Sequence, residues 1–215
     1  MLKTKNLLNK NTFKLFVIGA VCILFVGIVW SAQNHGIAKN DPFSTENFEP
    51  NEAKSKAAFL DAYSVFMSPR CANCHPAGDI PTQGDAMLLH AQNVKRGMDG
   101  KGKYGMKCNT CHQAENLAGE HLPPGVPNGW HMPPANMKMI FQGRTPKQLC
   151  EQLKNPLQNG GRKTLKAAIE HLEKDPLVLW AWTGSNGRSL PPLSYENFMN
   201  KVEEWVKHGG ACPDK

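Results

Sequence analysis

Apolar positions recur at helical spacing in four stretches of the chain. Ala53, Ala57, Leu60, Ala62 and Phe66 fall close to a 3.6-residue period, and Ser68-Pro69 ends that run. Thr145-Pro146 is a helix start for PKQLCEQLKN, and Thr164 is placed to cap LKAAIEHLEK before Pro176. The last stretch, Ser194 to His208, carries Phe198, Val202, Trp205 and Val206 on one face and stops at Gly209-Gly210. A further short helix is expected over Asp85 to Lys95 (DAMLLHAQNVK), with His90 near Met87 and Leu88 on an otherwise apolar turn. The intervening RGMDGKGKYGMK holds four glycines and reads as a loop, and the Pro- and Gly-rich LPPGVPNGWHMPP excludes regular helix. No strand pattern competes. The predicted fold class is mainly α and loop-rich, with modest helices that need additional apolar surface to build a core.

The N-terminus follows a different pattern. A lysine-bearing head precedes Leu15 to Ala32, which contains no charged residue. This is the layout of an export signal, either cleaved or retained as an anchor; the weak small-residue cleavage pattern around Trp30 favours retention. Lysines before the span and none immediately after it leave the head in the cytoplasm and the rest outside, in a bacterium on the periplasmic side. Cys22 lies within the apolar run without a lipobox-like sequence and is read as a small apolar residue. Polar Gln33 to Pro50 suits a tether. The expected organisation is an anchor over 1–32, a linker over 33–50 and one folded domain over 51–215.

Charge changes this picture little. The 215 residues carry a net +7, but Lys3, Lys5, Lys10 and Lys14 precede the first acidic residue, Asp41. From residue 34 onward 21 basic residues face 18 acidic ones, a surplus of +3. That suits mild steering of an acidic partner protein. Arg162, Lys163 and Lys166 lack interleaved aromatics, so no nucleic-acid partner is expected.

The cysteines carry the chemistry. Four of seven form two copies of Cys-x-x-Cys-His, CANCH at 71–75 and CNTCH at 108–112. This is the c-type haem attachment signature. Two thiols three positions apart can add to the two vinyl groups of one porphyrin, and the adjoining histidine reaches the iron. Paired Cys-x-x-Cys motifs also occur in zinc ribbons and thiol redox pairs, but the histidine after each pair and the export signal favour two covalently bound haem c groups. Cys71, Cys74, Cys108 and Cys111 would be the attachment points, and His75 and His112 the proximal metal ligands. Cys150 and Cys212 remain, and in an oxidising compartment a disulfide between them is the expectation, stabilising by about 4 kcal/mol in the chain-entropy picture. The rival reading makes one of them a thiolate haem ligand.

The distal ligands come from His90, His121, His131, His171 and several methionines. His90, fifteen residues after His75, is the leading candidate near the first haem, against an ordinary surface role. Met139, delivered by the proline-rich loop PPANMKMIF that also holds Met137, is preferred for the second haem, against a role as apolar filler. The assignment to individual haems can be crossed, because adjacent haems accept ligands from either segment. Methionine would raise the potential of its haem relative to bis-histidine ligation. Trp130, Trp180 and Trp182 are read as packing residues.

Two attachment motifs, a helix before the first and an amphipathic helix at the end resemble the dihaem c-type cytochromes of bacterial electron transfer. The runs CANCHPAGDIPTQGD, CNTCHQAEN, PPGVPNGWHMPP, LCEQLKNPLQNGGR and HLEKDPLVLWAW resemble, over about residues 55 to 213, exported cytochromes associated with isoquinoline 1-oxidoreductase-type molybdenum hydroxylases. The resemblance implies cytochrome c-like helices packed around two haems, a molybdenum-containing dehydrogenase as electron donor and the respiratory chain as acceptor. An electron carrier has no substrate and no catalytic residues of its own. The alternatives are a small peroxidase or other haem oxidoreductase, with one open iron beside His131 or Glu120, and a membrane-tethered haem sensor.

Overall fold

In a computed structural model of the chain, residues 49–183 and 187–215 are described, all within one compact unit bounded by Glu46–Lys215. The expected anchor and nearly all of the expected linker lie outside the described residues. Among these residues 37% are helical and 2% are in strands, so the domain is mainly α. None of their helices is long and apolar enough to cross a membrane.

Helix α1 (Glu52–Phe66) starts where the Asn51 side chain accepts from the Lys54 amide, and it buries Ala58, Phe59, Ala62 and Val65. The short α2 (Pro69–Ala72) follows directly, with Pro69 in the first-turn position where its missing N–H costs nothing. It contains Cys71, so four residues, Met67 to Arg70, separate the first motif from the end of α1. The second motif forms α3 (Cys108–Cys111). Helix α4 (Pro146–Lys154) opens with a reciprocal capping box: Gln148 N donates to the Thr145 hydroxyl and Thr145 N donates to the Gln148 side chain. Helix α5 (Leu165–Lys174) is capped by Thr164, and α6 (Pro176–Trp180) by Asp175, which is also the residue that ends α5. Helix α7 (Tyr195–Lys207) is capped by Ser194 and buries Phe198, Met199, Val202 and Trp205.

The core is built on α1 and α7. Phe59 packs against Trp205 with centroids 5.0 Å apart, and Phe66 meets Phe141 and Phe198 edge-on at 5.5 and 5.3 Å. Buried Ser55 ties the pair together, donating its hydroxyl to Trp205 O at 2.8 Å and accepting from Ala211 N at 2.9 Å. Cys150 on α4 is joined to Cys212 by a disulfide spanning 62 residues, which fastens the C-terminal tail over the core. A loop of that length corresponds to about 4 kcal/mol of stabilisation.

The helix expected over 85–95 is not formed. Residues Thr82–Gln83 (β1) pair antiparallel with Leu88–Leu89 (β2), Thr82 opposite Leu89, and the rest is turn. Met87 and Asn93 adopt φ of 49° and 53°, incompatible with a continuous helix. The physical reason is lack of a surface to pack on: Leu88 and Leu89 are 65% and 67% exposed, and a helix this short is marginal without tertiary contacts. The glycine-rich loop after it is real and tight. Gly100, at φ 77°, packs its α-carbon against the Met132 carbonyl, where any Cβ would collide. Its own carbonyl accepts from Met132 N at 2.9 Å. Between Cys111 and Pro146 no helix or strand forms, as the prolines require.

Candidate functional site

Each motif borders its own cavity. The first, about 480 Å³, is lined by Cys71, Cys74 and His75 together with apolar side chains of the core such as Phe66, Leu153 and Phe198. The second, about 570 Å³, is lined by Cys108, Cys111 and His112 and by the loops around His90 and Pro123. Both volumes are in the range of cofactor pockets. Arg70, Cys74, Trp130 and Trp180 line both, so the two cavities share a wall about one side chain thick. The Cys74 and Cys108 thiols lie within electrostatic reach of each other.

The two histidines are held alike. His75 Nδ1 lies 2.7 Å from the Met139 carbonyl, and His112 Nδ1 lies 2.7 Å from the Pro124 carbonyl. A donated Nδ1–H fixes the tautomer and leaves Nε2 with a free lone pair, the arrangement that metal-bound histidines use. Each ring also lies flat on an aromatic neighbour: His75 on Phe141 at 3.9 Å and His112 on Trp130 at 4.8 Å, both at 9°. Burial pushes His75 down to about 4 and lowers His112 as well, so both imidazoles are neutral at ordinary pH. The same bracing thus recurs at both copies of the motif.

The four motif thiols are unpaired with one another. Burial pushes Cys71 up to about 11 and Cys74 up to about 12. A dithiol redox centre needs the opposite, a lowered thiol that supplies thiolate near neutral pH. Cys150 and Cys212, by contrast, are joined, which takes both away from any role as thiolate ligands.

The wall contains a guanidinium. Arg70 is 6% exposed and caps the end of α6: Nε donates to Ala181 O at 2.8 Å, and Nη2 donates to Thr183 O at 2.8 Å and Trp180 O at 3.2 Å. Its plane lies 4.1 Å over the Trp180 ring, which meets Trp130 edge-on at 4.9 Å. Nη1 is buried without a hydrogen-bond partner. An unpartnered cationic donor beside two apolar cavities suits a carboxylate that is not part of the chain.

His90 lines the second cavity and not the first, so it stands with His112 and not with His75. The two rings are 6.2 Å apart, centroid to centroid, tilted by 60°. Two imidazoles on opposite sides of one metal, each nitrogen about 2 Å from it, put their centroids about 6 Å apart. His90 Nδ1 is buried and unpartnered. Met139 lines the first cavity, with its carbonyl on the His75 ring and its sulfur 3.9 Å from Arg162 Nη1. His131 and His171 line the first cavity and His121 the second, while Glu120 lines neither.

Among the described residues no three of His, Cys, Asp and Glu converge on one point. A haem iron asks less of the chain, one axial donor on each face, because the porphyrin supplies the other four. Two thiols and a tautomer-fixed histidine at the mouth of each apolar cavity, with an orphaned guanidinium nitrogen between them for a propionate, would fit one covalently attached haem apiece. Compared with protein families, curated proteins and solved structures, the chain finds no match in any of the three.

Proposed function

We propose that this chain is a dihaem c-type cytochrome that carries electrons. The observation that supports it is the duplicated site: two apolar cavities, each with its own Cys-x-x-Cys-His and its histidine braced by a backbone carbonyl, meeting at a shared wall. Haem supplies a one-electron iron couple in each cavity. The chain supplies everything else. Cys71 and Cys74 hold the first group and Cys108 and Cys111 the second, while His75 and His112 present neutral Nε2 lone pairs. Phe141 and Trp130 keep the rings from rotating, and the apolar linings exclude water, lowering the reorganisation that accompanies a change of charge. The shared wall of Arg70, Cys74, Trp130 and Trp180 keeps the two groups close enough for direct exchange. His90, which lines the second cavity with His112, would be the other residue to hold that iron, leaving it without an open position for a substrate.

The Cys150–Cys212 disulfide supports an oxidising compartment. With the apolar segment Leu15 to Ala32 it supports a domain on the periplasmic side of a bacterial inner membrane, held there by the N-terminal segment. The partners in this reading are a dehydrogenase, of the molybdenum hydroxylase class by resemblance, and a respiratory acceptor.

The test is the haem content of the chain produced in a host with a c-type maturation system. Two covalent haems per chain are expected, with one lost in Cys71→Ala/Cys74→Ala and the other in Cys108→Ala/Cys111→Ala. Bound zinc, or disulfides within the motifs in place of haem, would sink the proposal.

A further inference from the structure

The second cavity pairs its motif histidine with His90; the first contains more than one possible partner for His75. We infer that His171, whose Nδ1 faces Asp175, would be the second protein ligand of the first iron beside His75, so that both irons would be held by two histidines. The inference rests on the dihaem reading and names a residue that helical periodicity alone leaves as one candidate among several.

Three observations carry it. His171 is on α5 and lines the same cavity as Cys71, Cys74 and His75. Its Nδ1 is 3.3 Å from Asp175 Oδ2. That carboxylate is itself fixed, because Oδ1 accepts from Leu177 N at 2.8 Å as the cap of α6. With Nδ1 facing a carboxylate, Nε2 is the nitrogen left for a metal, as it is in histidines with an outer-shell carboxylate.

The competitors are less suitable. The Met139 carbonyl braces the His75 ring from behind, so the porphyrin would lie between that residue and the distal face. Its sulfur is turned to Arg162 and the Gly160 turn. His131 makes a 3.3 Å contact with its own neighbour's segment at Gly129 O and is attached to Trp130, the residue stacked on the other histidine, His112.

The experiment uses the full-length, haem-loaded protein, with haem count, EPR of the ferric form and carbon monoxide binding to the reduced form. Wild type is expected to show two low-spin haems and no carbon monoxide binding. His171→Ala should retain two haems and bind one carbon monoxide per chain, and His90→Ala/His171→Ala should bind two. His171→Met, which guards against misfolding of the alanine variant, should stay low-spin and show the far-red absorption of methionine-ligated ferric haem. Asp175→Asn should keep both haems low-spin while raising the midpoint potential of one. His131→Ala and Met139→Leu should leave the spectra unchanged. If His171→Ala and His171→Met both leave two low-spin, carbon-monoxide-inert haems with wild-type spectra, the inference is overturned and the dihaem reading stands. A wild-type chain with fewer than two haems removes the reading itself.

Discussion

Arg70 shows how much of the domain depends on one side chain that looks unremarkable in the sequence. Its guanidinium satisfies three carbonyls at the end of α6, covers Trp180 and forms part of the wall between the cavities. Ala181 is buried and its carbonyl would lose the donor that Arg70 supplies, whereas Trp180 O also accepts from Thr183 N; hydrogen bonds to a charged donor are among the stronger ones. Arg70→Ala is therefore expected to destabilise the domain by about 2–4 kcal/mol in urea unfolding. Arg70→Lys keeps the charge but lacks a planar fork, so it should recover less than half of that loss. A lysine variant within about 0.5 kcal/mol of wild type would show that charge, and not geometry, is what the wall requires. The two Cys-x-x-Cys-His motifs, which the folded chain places on the walls of two cavities, were legible residue by residue, because their spacing is local. Arg70 was not, since its partners at 180–183 are more than a hundred residues away and no local pattern marks them. His171 is an intermediate case: the sequence shows a histidine on a helix, and only the position of Asp175 against it in the folded chain separates it from His131.

At the level of elements, caps and periodicity located what packing later used. Helices α1, α4, α5 and α7 are capped by Asn51, Thr145, Thr164 and Ser194, all residue types favoured at that position. The stretch 85–95 has similar apolar spacing and forms no helix, because periodicity reports a face and not whether anything lies against it. Here the hairpin wins: Thr82 and Leu89 pair, His90 N donates to Pro81 O at 2.9 Å, and the histidine is delivered to the second cavity by a turn instead of a helix. The leucines are then surface residues. Leu88→Gln/Leu89→Gln should change the unfolding free energy by no more than about 0.5 kcal/mol and leave the haem count at two. A helix packed on a core would lose about 2–5 kcal/mol for each buried leucine removed, so a loss of that size would restore the helical reading of this segment.

At the scale of the whole molecule the arrangement that matters is the common wall. In the dihaem reading, two irons in cavities that share Arg70, Cys74, Trp130 and Trp180 would sit in a low-dielectric surrounding, where a charge placed on one is felt by the other. Adding the first electron would therefore oppose the second by on the order of 1 kcal/mol, or about 40 mV for a one-electron couple. If both irons are bis-histidine, ligand identity would not separate their potentials, and the separation would come from this repulsion and from local charge. The two surroundings do differ in charge: Arg162 lines only the first cavity and Arg188 only the second, while Arg70 serves both. An optical redox titration of the purified protein should accordingly resolve two one-electron waves instead of a single wave of double amplitude. Raising ionic strength should narrow their spacing only slightly, because salt screens buried charges far less than exposed ones. Two haems titrating as one wave would mean that they do not sense each other, and the shared wall would then have no part in moving electrons.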